Sequence, residues 1–155
     1  MKKTFFAWIL IFTAYFTGQS QEYNNAIGLR GGIFSGISFK HFVGQNTAIE
    51  GILDSRWHGF QVIGLMEHHN DISDLDGLRW FYGYGAHIGF YDGYYTTWGE
   101  NTNYTLIGID GIIGLEYLFK DIPVSISLDW KPYINLTGYT GFGGDGGALS
   151  VRYTF

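Results

Sequence analysis

Between Val124 and Leu136 the chain reads VSISLDWKPYINL. Every even position from Val124 through Ile126, Leu128, Trp130, Pro132 and Ile134 to Leu136 lacks charge and polar side-chain groups, apart from the indole N–H. The odd positions are Ser125, Ser127, Asp129, Lys131, Tyr133 and Asn135. A period of two separates these sets onto opposite faces only when the chain is extended. The segment is long for an ordinary strand and suits a tilted membrane crossing, which takes about 9–11 residues. A half-buried strand of a soluble protein alternates in the same way, so the segment alone does not say which face meets water.

Similar patterns predict eight strands, at Ala26–Ile33, Gly36–Val43, Thr47–Ser55, Phe60–His69, Leu78–Phe90, Tyr104–Phe119, Val124–Leu136 and Gly147–Phe155. Gly44-Gln45-Asn46 and Lys120–Pro123 are tight connections, whereas Tyr91–Asn103 and Thr137–Gly146 are long, polar and rich in Gly, Tyr and Asn. Short turns at one end and long loops at the other are the layout of an outer-membrane barrel, and an even strand count returns both termini to the same side. Two connections fit less well: His69–Gly77 is long for a turn on the inner side, and Phe34-Ser35 is short for an outer loop.

In each strand one parity collects nearly all the charge. That face carries Arg30, Lys40, Arg56, Arg79, Lys131 and Arg152 against Glu50, Asp54, Glu67, Asp110, Glu116 and Asp129, with Gly28, Gly83, Gly85, Ser125, Ser127 and Ser150 between them. The opposite face runs through Ile27, Leu29, Ile37, Phe39, Leu53, Val62, Tyr84, Ile107, Ile113 and Val151 without Asp, Glu, Lys or Arg. Its nearest exceptions are His41, with His58 and His68 near strand ends. A charge on the lipid face at mid-membrane costs about 2–4 kcal/mol, so lipid would enforce that absence. The alternative is a soluble lipocalin-like barrel with its charges outward and its apolar face around a ligand. An eight-stranded interior is only just wide enough for side chains to fill it. Small and ion-paired residues therefore belong inside and the bulky apolar set outside.

Composition narrows the class further. The length of 155 residues bounds the chain to one domain; Gly 24, Pro 2 and 19% aromatic residues describe many strands joined by turns. Cys 0 removes a disulfide framework, a thiol nucleophile and a thiolate metal site. Lys2 and Lys3, the apolar run Phe5–Phe16 and Gly18-Gln19-Ser20 make residues 1–20 a signal peptide cleaved before Gln21, leaving a barrel domain at 21–155. As a helix that apolar run would span about 18 Å, short of the roughly 30 Å hydrocarbon core. The acidic balance of the remainder argues against nucleic acid.

The chain ends Gly147-Ala148-Leu149-Ser150-Val151-Arg152-Tyr153-Thr154-Phe155, with Leu149, Val151, Tyr153 and Phe155 at alternate positions. This terminus and the eight-strand pattern over Gln21–Phe155 resemble the small eight-stranded outer-membrane barrels of Gram-negative bacteria, a group that includes the membrane domain of outer-membrane protein A. The resemblance implies an all-β, eight-stranded antiparallel up-and-down barrel in the cell outer membrane. It also implies recognition of the last strand by the barrel assembly machinery. The chain carries no periplasmic peptidoglycan-binding domain, so a tether to the cell wall is not implied.

No catalytic motif emerges. Ser, His and Glu are scattered, His58 has only Ser55 nearby, and a lipid-modifying enzyme is the weaker reading. Asp71, Asp74, Asp76 and Gly77 lack the ligand spacing of a calcium loop, and Gly83-Tyr84-Gly85 and Gly141–Gly147 precede no helix that could cradle phosphate. No cofactor or metal is expected. Trp80, Tyr82, Tyr117, Phe119, Tyr153 and Phe155 mark an inner aromatic girdle, and Trp57, Phe60, Phe90 and Tyr104 an outer one. Tyr94, Tyr95 and Trp98, in the loop beyond the outer girdle, are contact candidates for an extracellular ligand. The expectation is an integral barrel surrounded by outer-membrane lipid, structural or surface-interacting, with a narrow porin-like channel as the rival reading.

Overall fold

The computed structural model describes residues 23–56, 59–92, 103–138 and 140–155. The proposed signal peptide and its cleavage site lie outside the described residues, as do Trp57, His58, Tyr94, Tyr95 and Trp98.

The described chain contains β1 (Asn25–Gly32), β2 (Ser35–Phe42), β3 (Thr47–Arg56), β4 (Gly59–Asp71), β5 (Leu78–Tyr91), β6 (Tyr104–Leu118), β7 (Val124–Trp130), β8 (Tyr133–Asn135), β9 (Gly141–Gly143) and β10 (Gly147–Thr154). All pairings are antiparallel. Each strand from β1 to β6 pairs with the next, β6 pairs with β7 and β8, and β10 closes the ring between β7 and β1. Two staves are interrupted: β7 and β8 form the seventh, β9 and β10 the eighth. The result is a closed eight-stranded barrel.

The seventh stave corrects the expectation of one unbroken strand over Val124–Leu136. Pro132 has no N–H to give the ladder, so regular pairing lapses at Lys131-Pro132. The register with β6 survives the gap because the Gly111 N–H donates to the Pro132 carbonyl at 2.9 Å. The span Thr137–Gly146, expected to be loop throughout, contains β9, which pairs with β8. The intervening turn uses Gly138 at φ 77°, a conformation other residues rarely adopt. The long connection expected at His69–Gly77 is shorter than it looked. β4 runs on to Asp71, and residues 72–77 form a compact turn closed by Gly77 at φ 86°. Here Lys120 Nζ lies 2.7 Å from Asp76 and holds that exposed carboxyl below the usual carboxylate range.

The connections at 43–46, 72–77 and 119–123 share one end with the two described chain ends, where Asn25 and Phe155 exchange both backbone bonds at 2.8 Å. The opposite end is uneven. The β1–β2 hairpin turns at residues 33–34, while β5 and β6 continue pairing to Tyr91 and Tyr104.

Parity sorts the side chains as alternation requires. Outward positions are mostly apolar and exposed, Leu29 at 69% and Trp80 at 39% among them. Among the described residues none of them is Asp, Glu, Lys or Arg. Outward polar residues such as Asn25, His41, Thr47, His68, Ser35 and Ser55 sit near strand ends. Tyr104 departs from its expected place in the outer girdle: it turns inward and stacks on Tyr91, ring centroids 5.5 Å apart.

Glycine serves two roles in the wall. A Cβ on inward Gly85 would press onto the Gly64 carbonyl oxygen, whereas a Cβ on outward Gly64 would meet nothing within 4 Å. Gly85→Ala is therefore expected to destabilise the barrel by about 1–3 kcal/mol, and Gly64→Ala to stay within about 0.5 kcal/mol of the parent. Urea unfolding after refolding in detergent checks both; equal losses would refute the asymmetry.

Candidate functional site: the ion-paired lumen

The inward parity of β1, β2, β3, β7 and β10 aims charged side chains into one space too narrow for water to solvate them, so each needs a partner inside. Arg152 on β10 reaches across the lumen to Glu50 on β3, NH2 to Oε1 at 2.5 Å. Its Nε donates to Ser38 Oγ at 3.0 Å and its NH1 to Ser127 Oγ at 2.6 Å, engaging all three nitrogens of the fork. Lys40 on β2 lies 2.8 Å from Glu67 on β4, 3.8 Å from Glu50 and 4.0 Å from Glu116. Glu116 on β6 accepts both its hydroxyl bonds from neighbours, Tyr23 at 2.8 and 2.9 Å and Ser125 at 3.1 Å.

A second cluster lies nearer the uneven end. Arg30 on β1 makes a two-nitrogen contact with Asp129 on β7, at 2.5 and 2.7 Å. Lys131 donates to Asp110 at 2.8 Å, and its ammonium sits 5.7 Å from the Phe34 ring and 5.6 Å from that of Tyr133. Asp54 is different: it is 1% exposed and its two carboxylate oxygens have no hydrogen-bond partner among the described residues.

Two of the twelve charged residues assigned to the interior stand apart. Arg79 is the direct cross-strand partner of Glu116, yet its Nε bonds Asp71 at 2.8 Å, because it lies at the rim where the exposed end of β4 is the nearer acid. It takes no part in the central clusters. The Arg56 side chain lies outside the described residues. Among the described residues the buried cations are Arg30, Lys40, Lys131 and Arg152, which face all six carboxylates.

Two histidines that sequence reasoning did not assign to the interior stand beside these carboxylates. His69 Nε2 lies 3.0 Å from Glu67 and its Nδ1 3.6 Å from Glu116. His87 bridges Asp110 at 2.7 Å and Asn135 at 2.9 Å. Parity would have found both, since His69 follows Glu67 by two positions and His87 follows Gly83 and Gly85 by four and two. Among the described residues no serine hydroxyl is bonded to a histidine.

The lumen is also less polar than expected. Ile52, Ile63, Leu65, Phe81 and Ile112 form a buried apolar cluster on the inner faces of β3 to β6. This corrects the placing of all bulky apolar residues outside. Gly114 makes room for it, since a Cβ there would lie 2.7 Å from Phe81 Cζ. Phe81 joins the two halves: its ring stacks on His69 with centroids 5.0 Å apart and receives the Lys40 ammonium at 4.7 Å. Of the terminal aromatic pattern, Leu149 and Val151 face outward, and the rings of Tyr153 and Phe155 stack 5.9 Å apart beside the seam between β10 and β1.

Lys40→Met should leave Glu67 buried without its cation and cost about 3–5 kcal/mol, and adding Glu67→Gln should recover most of the loss. Urea titration of the single and double variants reads the coupling. A double variant no more stable than Lys40→Met would show that packing, not charge, was lost.

No family model matches the sequence, and no curated protein matches it. Among solved structures the chain is similar to the N-terminal β-barrel domain of Pseudomonas aeruginosa OprF, with a TM-score of 0.71 and 15% identity over 87% of this chain and 100% of that one. At that identity the likeness establishes the fold, an eight-stranded antiparallel β-barrel.

Proposed function

We propose that this chain is an integral outer-membrane β-barrel with a plugged lumen, serving as a structural or surface-interaction protein. The apolar outer wall carries the reading. From Trp80 to Phe90 the outward positions of β5 cover about 26 Å of barrel height, at a rise of ~3.4 Å per residue and a tilt near 40°. An outer-membrane barrel needs an apolar band roughly 25 Å tall. A water-soluble barrel would place its ion pairs where these rings and aliphatic chains stand. The OprF-like fold supports the same reading.

In this orientation the compact turns lie in the periplasm and the uneven end faces outward. The plug follows from the lumen, since Arg152, Lys40 and their carboxylates are at most 1% exposed and meet across its centre. Outer-membrane lipid surrounds the wall, and the barrel assembly machinery handles the last strand. Any extracellular ligand would meet the outer loops, with Tyr94, Tyr95 and Trp98 as its contacts.

The protein should fractionate with outer membranes and migrate on detergent gels in a heat-modifiable way. Recovery as a soluble periplasmic monomer would favour the lipocalin-like alternative. In planar bilayers the intact protein should show no steady conductance, and Lys40→Ala with Arg152→Ala should open a leak; ohmic conductance in the unmodified protein would promote the channel reading.

Assembly gives a separate test. Phe155→Ser should lower the amount inserted in cells and leave refolding into detergent intact, whereas equal losses in both assays would reduce the ring to packing.

A further inference from the structure

We propose that the outer face of β4 and β5, at the end that holds the compact turns, binds one phospholipid of the surrounding membrane, its phosphodiester held by His68, Asn70, Trp80 and Tyr82. The site rests on the membrane reading and adds a ligand to it. Along β4, His68 and Asn70 alternate with buried Glu67 and His69 and so face outward. On β5 their direct cross-strand partners are Tyr82 for His68 and Trp80 for Asn70. Four side chains that carry N–H or O–H donors thus form one block on two adjacent strands, in a wall that is otherwise mostly apolar.

The rings are held in place while their donors stay free. Tyr82 contacts both His68 and Trp80, with ring centroids 5.5 Å from each, and Tyr84 flanks His68 at 6.5 Å. Thr47 Oγ1 lies 3.3 Å from His68 Nδ1; with that hydroxyl donating, the neutral ring carries its proton on Nε2. Among the described residues nothing bonds His68 Nε2, the Asn70 amide, the Trp80 indole N–H or the Tyr82 hydroxyl. Comparable groups elsewhere on the outer wall are used up. Ser35 and Ser55 turn their hydroxyls back onto the Gly32 and Gly59 carbonyls at 3.3 Å, and Trp130 gives its indole N–H to the Gly144 carbonyl at 2.7 Å.

Level and chemistry together name the occupant. Trp80 marks one edge of the apolar band, where amphipathic rings sit beside lipid headgroups. With the compact turns in the periplasm, those headgroups belong to the periplasmic leaflet. A block of donors without a carboxylate beside it on the outer face fits an anionic oxygen, and a phosphodiester presents two on one phosphorus. The wall next to the block has room for the chain that distinguishes a lipid from free phosphate. Gly51, Gly64 and Ala86 are successive cross-strand neighbours, and a Cβ on Gly51 or Gly64 would meet nothing within 4 Å. Gly64 lies two outward positions along β4 from His68, toward the middle of the wall, so an acyl chain hanging from the bound headgroup reaches this low strip.

The full chain, refolded in detergent, should retain dimyristoyl phosphatidylglycerol in native mass spectrometry and release dimyristoylglycerol, which lacks the phosphate. His68→Phe together with Tyr82→Phe keeps both rings, removes two donors and should weaken retention of the phospholipid at least about tenfold. Tyr117→Phe removes a hydroxyl from a ring of similar exposure, 41% against 45% for Tyr82, and should bind as the parent does. Heat-modifiable migration should be unchanged in all three proteins. Equal retention of dimyristoylglycerol, or equal affinity in the parent and the double variant, would overturn the site and leave the barrel in its membrane. Preference for lipopolysaccharide over the phospholipid would overturn the assignment to the periplasmic leaflet. A parent that stays soluble and monomeric without detergent would instead overturn the membrane reading, and the site with it.

Discussion

Arg152 crosses the lumen from β10 to Glu50 on β3, and much of the interior is arranged around that bond. A guanidinium excluded from water needs donors satisfied in several directions at once, which Ser38 and Ser127 provide from β2 and β7. Those serines are small because the fork must lie between them and the opposite wall. Lys40 takes Glu67, and Glu50 Oε2 and Glu116 Oε1 stay within 4.0 Å of its ammonium. The stability of each pair thus depends on the others being in place, as expected of buried networks, whose members are costly to leave half-satisfied.

The closed ring makes this arrangement legible in sequence. Because the side-chain period is two and every strand is paired on both sides, one parity assignment fixes the face of a whole stave. Ser125, Ser127, Asp129 and Lys131 are all inside as their spacing required, and Val124, Ile126, Leu128 and Trp130 are all on the outer face. Partner choice was not legible. Arg79 and Glu116 are true neighbours across β5 and β6, but long side chains reach several ångströms along a strand, and Asp71 at the rim was closer. Ile52 and Ile63 were hidden for another reason: each lies beside outward aliphatic residues, Leu53 and Val62, in runs where alternation of polarity disappears. Pro132 was readable as a place where the ladder fails, while the pairing of β9 beyond it depended on a turn whose geometry composition does not specify.

The uneven end has a simple origin in hairpin length. The two-residue turn after β1 keeps that side low, while β5, β6 and the β8–β9 hairpin rise above it. Among the described residues, the eighth stave is therefore flanked on one side by a strand shorter than itself. The same slope brings Phe34 over the lumen, where it meets Tyr133 edge-on and lies beside the Lys131 ammonium.

The apolar cluster of Ile52, Ile63, Leu65, Phe81 and Ile112 sets an aliphatic patch into a lumen otherwise lined by charge. Water entering from either mouth would wet the ion-paired side and be repelled by the aliphatic one. Any widening of this barrel, by substitution or by strain, would admit water first beside the pairs that Arg152, Lys40 and Arg30 make with Glu50, Glu67 and Asp129, and would leave the patch of Ile52, Ile63, Leu65, Phe81 and Ile112 dry. A conduit made in that way would be wetted unevenly, charged around most of its circumference and bare along one aliphatic strip.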